Sequence, residues 1–292
     1  AGMMSRLGAV AAGRSPWLAV AGMLVLLALW RSLVAAGIPF SVDEAYYIAW
    51  SKTPDFGYWT KPPMIAWAIG AARAACGESP GCVRMVPVLA FPLSTLMLML
   101  LARRLQFSRA QAIVAGLAFA TMPLASFYGI AATTDGLLLL FWVAAMLCLR
   151  IALEGSRAAW LMAGLCAGLA LLSKYSAGIF ALSAALALLH PRWRHWWRSA
   201  WPWLAAAVAA LVFLPNLWWN LTQGMPTLRH TAEISQHAGY SLRPMAMAEF
   251  LLSQFGLAGP VLFGAFIAWL VSRRWKATPD GWFLLSLSLP FL

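Results

Sequence analysis

The stretch Ser41 to Trp67, SVDEAYYIAWSKTPDFGYWTKPPMIAW, sets two adjacent acids, Asp43 and Glu44, three further charges, Lys52, Asp55 and Lys61, and seven aromatic rings inside an otherwise oily chain. A carboxylate at a cleft can take a proton from an attacking hydroxyl, and an ammonium can hold an anionic leaving group. Both residue types also have ordinary structural uses. An acid in the first turn of a helix caps free N–H groups and complements the helix dipole, and Lys61-Pro62-Pro63 suits a helix start at proline. Two neighbouring acids project in different directions from a helix, so one can cap while the other faces a cleft.

Three other places carry polar groups of the same kind. Asp135 opens an apolar run, where capping and a site at the membrane edge are compatible. Lys174 stands in the SKYSAG break between two apolar runs, where an ammonium either snorkels to the surface or binds an anion. The segment LTQGMPTLRHTAEISQHAGYSLRPM holds Arg229, His230, Glu233, His237 and Arg243. On a helix His230, Glu233 and His237 fall on one face, a spacing compatible with a metal. No HExxH or comparable motif accompanies it, so the reading is a polar loop that binds acidic groups, with no metal and no cofactor.

Whatever positions these groups is built from membrane helices. Of 292 residues, 62% are hydrophobic and 10% charged, and the mean hydropathy is +0.76, whereas a soluble domain has roughly 25% charged residues. Apolar runs at 17–38, 83–101, 111–131, 136–153, 158–173, 175–190, 200–219, 249–271 and 281–292 read as spans or partial spans, the last too short to cross. The expectation is an all-α polytopic membrane protein, a single domain over 1–292 whose C-terminal run stops midway, as in a truncated chain. The basic run-up to the first span reads as an uncleaved helix rather than a cleaved signal.

Alternating the loops between two faces puts thirteen basic groups against Glu154 and Asp280 on one side, and eight basic against seven acidic groups on the other. The first is the cytoplasmic face by the positive-inside rule. Nearly all of the net charge of +12 is therefore topological, and no nucleic acid is called for. Every candidate group named above falls on the opposite, outward side. There, 39–82 forms the first loop, with two short amphipathic helices at the membrane surface around a Pro54–Gly57 turn, and 220–248 forms the second. Cys76 and Cys82 flank GESPG in the first loop and can close a small ring in an oxidising compartment, while spacing alone leaves that open. Cys148 and Cys166 lie in apolar runs and read as packing residues. Together the outward carboxylates and cations suit a transfer reaction from a phosphate-linked donor.

Asp43-Glu44-Ala45-Tyr46-Tyr47, Asp55 to Pro63 with Trp67, Thr134-Asp135-Gly136, Leu172-Ser173-Lys174 and Pro215 to Asn220 resemble, in order along the chain, the protein O-mannosyltransferase-like family. These are GT-C membrane glycosyltransferases that include bacterial transferases of aminoarabinose and galacturonic acid to lipid A. The resemblance implies a GT-C transmembrane bundle in the bacterial inner membrane with its site facing the periplasm. It also implies an inverting hexosyl or pentosyl transfer from a polyprenyl-phosphate (undecaprenyl phosphate) donor to a lipid or glycan acceptor, in lipopolysaccharide modification. It makes Asp43 the base or acceptor-orienting carboxylate, with Glu44 and Asp135 beside it, and Lys61 and Lys174 contacts to the donor phosphate. Arg229 joins those cations, and Tyr46, Tyr58, Thr60, His230 and Glu233 are the candidate contacts to acceptor or sugar. Some relatives carry an acid where this chain has Thr60. The alternative from another class is a lipid-linked sugar flippase or transporter, which repeated halves and interrupted mid-membrane helices would favour.

Overall fold

The computed structural model describes residues 2–227, 229–230, 232–233, 244–276 and 278–291. His237 and Arg243 lie outside the described residues. Described secondary structure is helical throughout, in the order α1 Gly2–Gly37, α2 Val42–Ser51, α3 Met64–Cys76, α4 Pro80–Val83, α5 Met85–Arg104, α6 Arg109–Thr121 and α7 Pro123–Tyr128. There follow α8 Thr134–Leu153, α9 Arg157–Ser173, α10 Ile179–Leu188, α11 Ala200–Thr222, α12 Pro244–Ala258, α13 Pro260–Ser272 and α14 Pro279–Ser288.

Among the described residues, Pro16–Gly37, Pro80–Arg104, Thr134–Leu153 and Ala200–Thr222 are long and apolar enough to cross a membrane singly. The apolar run 249–271, expected as one straight span, is two helices, α12 and α13, bent by 116°. Gly259 at the bend has φ 83°, a conformation that favours glycine, and Pro260 starts the second helix. The run 111–131 is also broken. The residue before a proline is pushed out of helical geometry, and Met122 is extended at φ −63°, ψ 151° ahead of Pro123. At that break Arg31 supplies donors: its guanidinium, 4% exposed, donates to Ala120 O at the end of α6 at 2.7 Å and to Ala125 O, which also accepts from Gly129 N, at 3.1 Å. The charge embedded in the first span thus bridges the two sides of a helix interruption.

The bundle core lies between α5, α8, α9 and α11, with Phe283 of α14 and Trp160 of α9 among its buried side chains. Helix pairs in a bilayer gain no hydrophobic drive from each other and approach through small residues. Gly164 and Gly168, one turn apart on α9, meet α11 so closely that a Cβ at Gly164 would lie 2.1 Å from Ala205 O and one at Gly168 2.7 Å from Val212 Cβ. This close pair holds the end of α9, and therefore Lys174, against the end of α11.

Candidate active site

The two outward-loop helices form where the apolar spacing places them, as α2 and α3. Ser41 caps α2 through a complete capping box, its hydroxyl accepting from Glu44 N and its own N–H donating to the Glu44 carboxylate at 2.9 Å. So of the two adjacent acids Glu44 caps, and Asp43 is the exposed one. Glu44 is 1% exposed and receives both Nε and Nη2 of Arg84 at 2.7 Å and Ala132 N at 3.0 Å. Arg84 also donates to the carbonyls of Ala35, Ile38 and Pro39. Burial opposes the charge on Glu44, but the Arg84 guanidinium and the two backbone N–H groups outweigh it and hold the carboxyl down at about 2. Glu44 belongs to a buried clamp that joins the end of α1, the start of α2, the top of α5 and the turn before α8, instead of standing in a cleft beside Asp43.

That clamp brings two first turns together. Tyr47, one turn along α2 from Asp43, is buried against Ile65, Ile69, Val83, Ala132 and Leu137. Its phenol is pushed up to about 12, chiefly by burial and then by the negative charges of Asp43 and Asp135. Tyr47 packs on Ala132 and Leu137, which flank Asp135 in sequence, and Ala132 N donates to Glu44, so the first turn of α2, which carries Asp43, meets the start of α8, which carries Asp135. Asp135 in turn pairs with Lys174, Oδ1 to Nζ 2.8 Å, with side chains 26% and 36% exposed. Lys174 leaves the end of α9 in an extended conformation, φ −159°, ψ 133°, which turns its side chain off the helix line.

A second network fixes the loop that carries Lys61. Tyr58 is 7% exposed, stacks on Trp50 at 4.6 Å and donates its hydroxyl to the carbonyls of Trp50 and Thr53. It holds the loop in place, and its ring edge lines a cleft of about 350 Å³ with Thr53, Asp55, Trp59, Trp219 and Gln223. Asn216 on α11 donates to Phe56 O at 2.7 Å and accepts from the hydroxyl of Tyr175, the residue after Lys174, at 2.9 Å. Asn220 adds a bond to that hydroxyl at 3.2 Å. Trp219 donates to Asp55 at 2.8 Å, and Gly57 lies under its ring, where a Cβ would come within 2.3 Å. The loop of Lys61 and the turn of Lys174 are thereby tied through one asparagine. Outward ion pairs among the described residues join Lys52 and Arg73 to Glu78, Arg84 to Glu44, and Lys174 to Asp135. Asp43 and the half-buried Lys61 are in none of them.

The remaining candidates sit at the edges. Tyr46 is 42% exposed and packs on Trp50 at 4.3 Å. Thr60 is half-buried, as is His230, while Arg229 and Glu233 are exposed. Arg229 lies past the end of α11, its guanidinium over Gly224, and no described contact joins it to Asp43, Asp135 or Lys174. Cys76 and Cys82 are joined by a disulfide that ties α3 to α4, just ahead of Arg84. Arg84, Tyr175, Asn216, Asn220 and Trp219 carry the architecture without having stood out as candidates. For Asn216 and Asn220 the signal was present, since two amides one turn apart in an apolar helix share a face and need partners.

A model of dolichyl-phosphate-mannose-protein mannosyltransferases matches residues 60–219, from the Lys61 loop to the end of α11. The chain belongs to that family. A lipid A galacturonosyltransferase, RgtD of Rhizobium johnstonii, is 35% identical over 89% of this chain and 55% of its own length. An undecaprenyl phosphate-alpha-4-amino-4-deoxy-L-arabinose arabinosyl transferase of Pseudomonas paraeruginosa is 34% identical over 54% of this chain and 30% of its own. ArnT from Cupriavidus metallidurans bound to undecaprenyl phosphate superposes with a TM-score of 0.74 at 18% identity, over 94% of this chain and 54% of that one. The chain thus spans about half the length of RgtD and ArnT. Within the mannosyltransferase family it has the all-α, multi-pass GT-C fold.

Proposed function

We propose that the protein is a glycosyltransferase of the bacterial inner membrane that moves a sugar from a polyprenyl-phosphate donor to an envelope glycolipid such as lipid A, on the periplasmic side. The observation that carries this reading is the packing of the first turn of α2, with Asp43, on the start of α8, whose Asp135 pairs with Lys174, with the Lys61 loop tied to the turn after Lys174 by Asn216. Likeness to RgtD, a lipid A galacturonosyltransferase over 89% of this chain, favours a hexuronosyl donor over a pentosyl one. The charge asymmetry of thirteen basic against two acidic groups supports the periplasmic orientation.

In the proposed reaction an acceptor hydroxyl attacks the anomeric carbon as the bond from that carbon to the phosphate oxygen breaks, inverting the centre. Asp43, exposed and outside every ion pair among the described residues, takes the proton from the hydroxyl. Lys61 and Lys174 stabilise the charge that builds on the departing polyprenyl phosphate. At rest Lys174 is neutralised by Asp135, so Lys61 makes the first contact with the donor phosphate and Lys174 is drawn across as the bond breaks. The cleft of Asp55, Trp59, Trp219 and Gln223 offers aromatic faces with polar edges for the acceptor saccharide. Arg229, His230 and Glu233 flank that approach and contact the donor's charged sugar or the acceptor.

Incubating purified protein in detergent with a polyprenyl-phosphate sugar and lipid A tests the reaction. Transfer releases free polyprenyl phosphate only when acceptor is present. Movement of intact donor between leaflets of a proteoliposome, with no bond cleaved, would instead support the flippase reading.

A further inference from the structure

We propose that the groove between α9, α10 and α11 docks an anionic phospholipid from the leaflet on the basic face, an acyl chain lying along the groove and the headgroup phosphate on Arg157, Arg194 and Arg198. The groove, about 310 Å³, runs from Ala177 and Gly178 to an aromatic end formed by Trp160, Trp197 and Trp203, and its walls between are mostly alanine. Its origin is local. Gly164 and Gly168 draw α9 onto α11, while α10 starts only after the 3-10 turn Tyr175–Gly178 and ends at Leu188, which leaves an apolar furrow of chain width open along their sides.

Charge decides the occupant. The two acids of the basic face are both consumed: Glu154 pairs with Arg104 at 3.0 Å and Arg150 at 2.9 Å, and Asp280 pairs with Arg150 at 2.9 Å. Arg157, Arg192, Arg194 and Arg198 are exposed and belong to none of the ion pairs among the described residues. Arg157 and Arg198 stand beside the aromatic end of the groove, and Arg194 opens the short 3-10 helix Arg194–Arg198 that also carries Trp197. Arg157 stands one turn before Trp160 on α9, with its guanidinium 5.7 Å from the Trp201 ring, and Arg198 follows Trp197, whose carbonyl accepts from Trp203 Nε1 at 3.3 Å. The positive-inside rule explains the sign of this face, but not why its unpaired arginines and its tryptophans collect at the mouth of an apolar furrow. Basic pockets between helices on this side of a membrane suit anionic headgroups, and indoles suit the boundary just below them. A zwitterionic lipid would leave the arginine collar unneutralised. The inference is independent of the transfer reaction.

Native mass spectrometry of the purified full-length protein, titrated with phosphatidylglycerol or with phosphatidylcholine of the same chains, tests it. Phosphatidylglycerol should bind at least about tenfold more tightly, and Arg157→Ala with Arg194→Ala and Arg198→Ala should abolish that preference. Ala206→Phe, which fills the furrow from an exposed wall position, should weaken both lipids by about tenfold. If the variants do not fold, raising the salt concentration on the wild type should weaken phosphatidylglycerol and leave phosphatidylcholine unchanged. Equal binding of the two lipids overturns the proposal. So does displacement of phosphatidylglycerol by equimolar polyprenyl phosphate, which would assign the furrow to the donor's tail, or a preference that survives loss of the three arginines.

Discussion

Two ion pairs, linked where Ala132 N donates to Glu44 three residues ahead of Asp135, do opposite work. Glu44–Arg84 is sealed, with side chains 1% and 3% exposed, whereas Asp135–Lys174 is 26% and 36% exposed. In the first, every carboxylate oxygen is matched to a fixed donor, and the guanidinium is spread over Glu44 and three carbonyls. In the second, a single contact of 2.8 Å joins an ammonium on a flexible stem to a carboxylate open to solvent. A sealed pair holds parts in place and cannot exchange partners without exposing an unpaired charge. An open pair of this kind contributes little to stability and can trade its carboxylate for a phosphate.

Breaking the sealed pair should have the largest effect. Arg84→Ala leaves Glu44 buried without its cation and should cost roughly 3–5 kcal/mol, read as a fall in the thermal unfolding temperature in detergent. Arg84→Lys should recover only part, since a lysine cannot serve Glu44 and three carbonyls at once. The open pair should behave in reverse: Lys174→Ala should change stability by less than about 1 kcal/mol while lowering transfer by roughly 10²-fold or more. Equal destabilisation by the two variants would erase the distinction. Asn216→Leu removes the tie between the loops of Lys61 and Lys174 and should cost about 1–3 kcal/mol for the groups left unpaired, with weaker donor binding in a direct titration. The mildest lever is acid. Because the Glu44 carboxyl is held down at about 2 in the folded protein, its stabilising contribution is complete at neutral pH. It is lost as pH falls from about 4.5, where an unfolded glutamate takes its proton, towards 2. Arg84→Ala should remove that acid sensitivity, measured as unfolding midpoint against pH.

The contrast was only half legible in the sequence. Local patterns gave α2 and α3, the proline-punctuated turn between them and the outward grouping of Asp43, Lys61, Asp135 and Lys174, because capping, periodicity and loop charge are short-range signals. That Glu44 closes the cap follows from the local Ser41-x-x-Glu44 spacing, but its burial in a sealed clamp depends on Arg84, 40 residues away, and on Ala132, 88 residues away. No local rule reaches that far. The partners of Arg31, the carbonyls of Ala120 and Ala125 on either side of the break before Pro123, are likewise beyond any local rule. Pro123 and the Gly259-Pro260 pair were visible punctuation inside runs whose hydropathy read as continuous. Tyr58 entered as a candidate contact to acceptor or sugar through the resemblance, and its burial follows from stacking on Trp50, which no local pattern announces.

The most direct test of the account is Asp43→Asn, assayed for both binding of a polyprenyl-phosphate sugar and its transfer to lipid A. Asp43 is exposed, in no ion pair among the described residues and not the capping acid, so the variant should fold and bind donor as the wild type does. Release of polyprenyl phosphate should fall by about 10²–10⁴-fold. Transfer at the wild-type rate in a folded Asp43→Asn protein would contradict the assignment of the base, and with it the role given to the site around Tyr47.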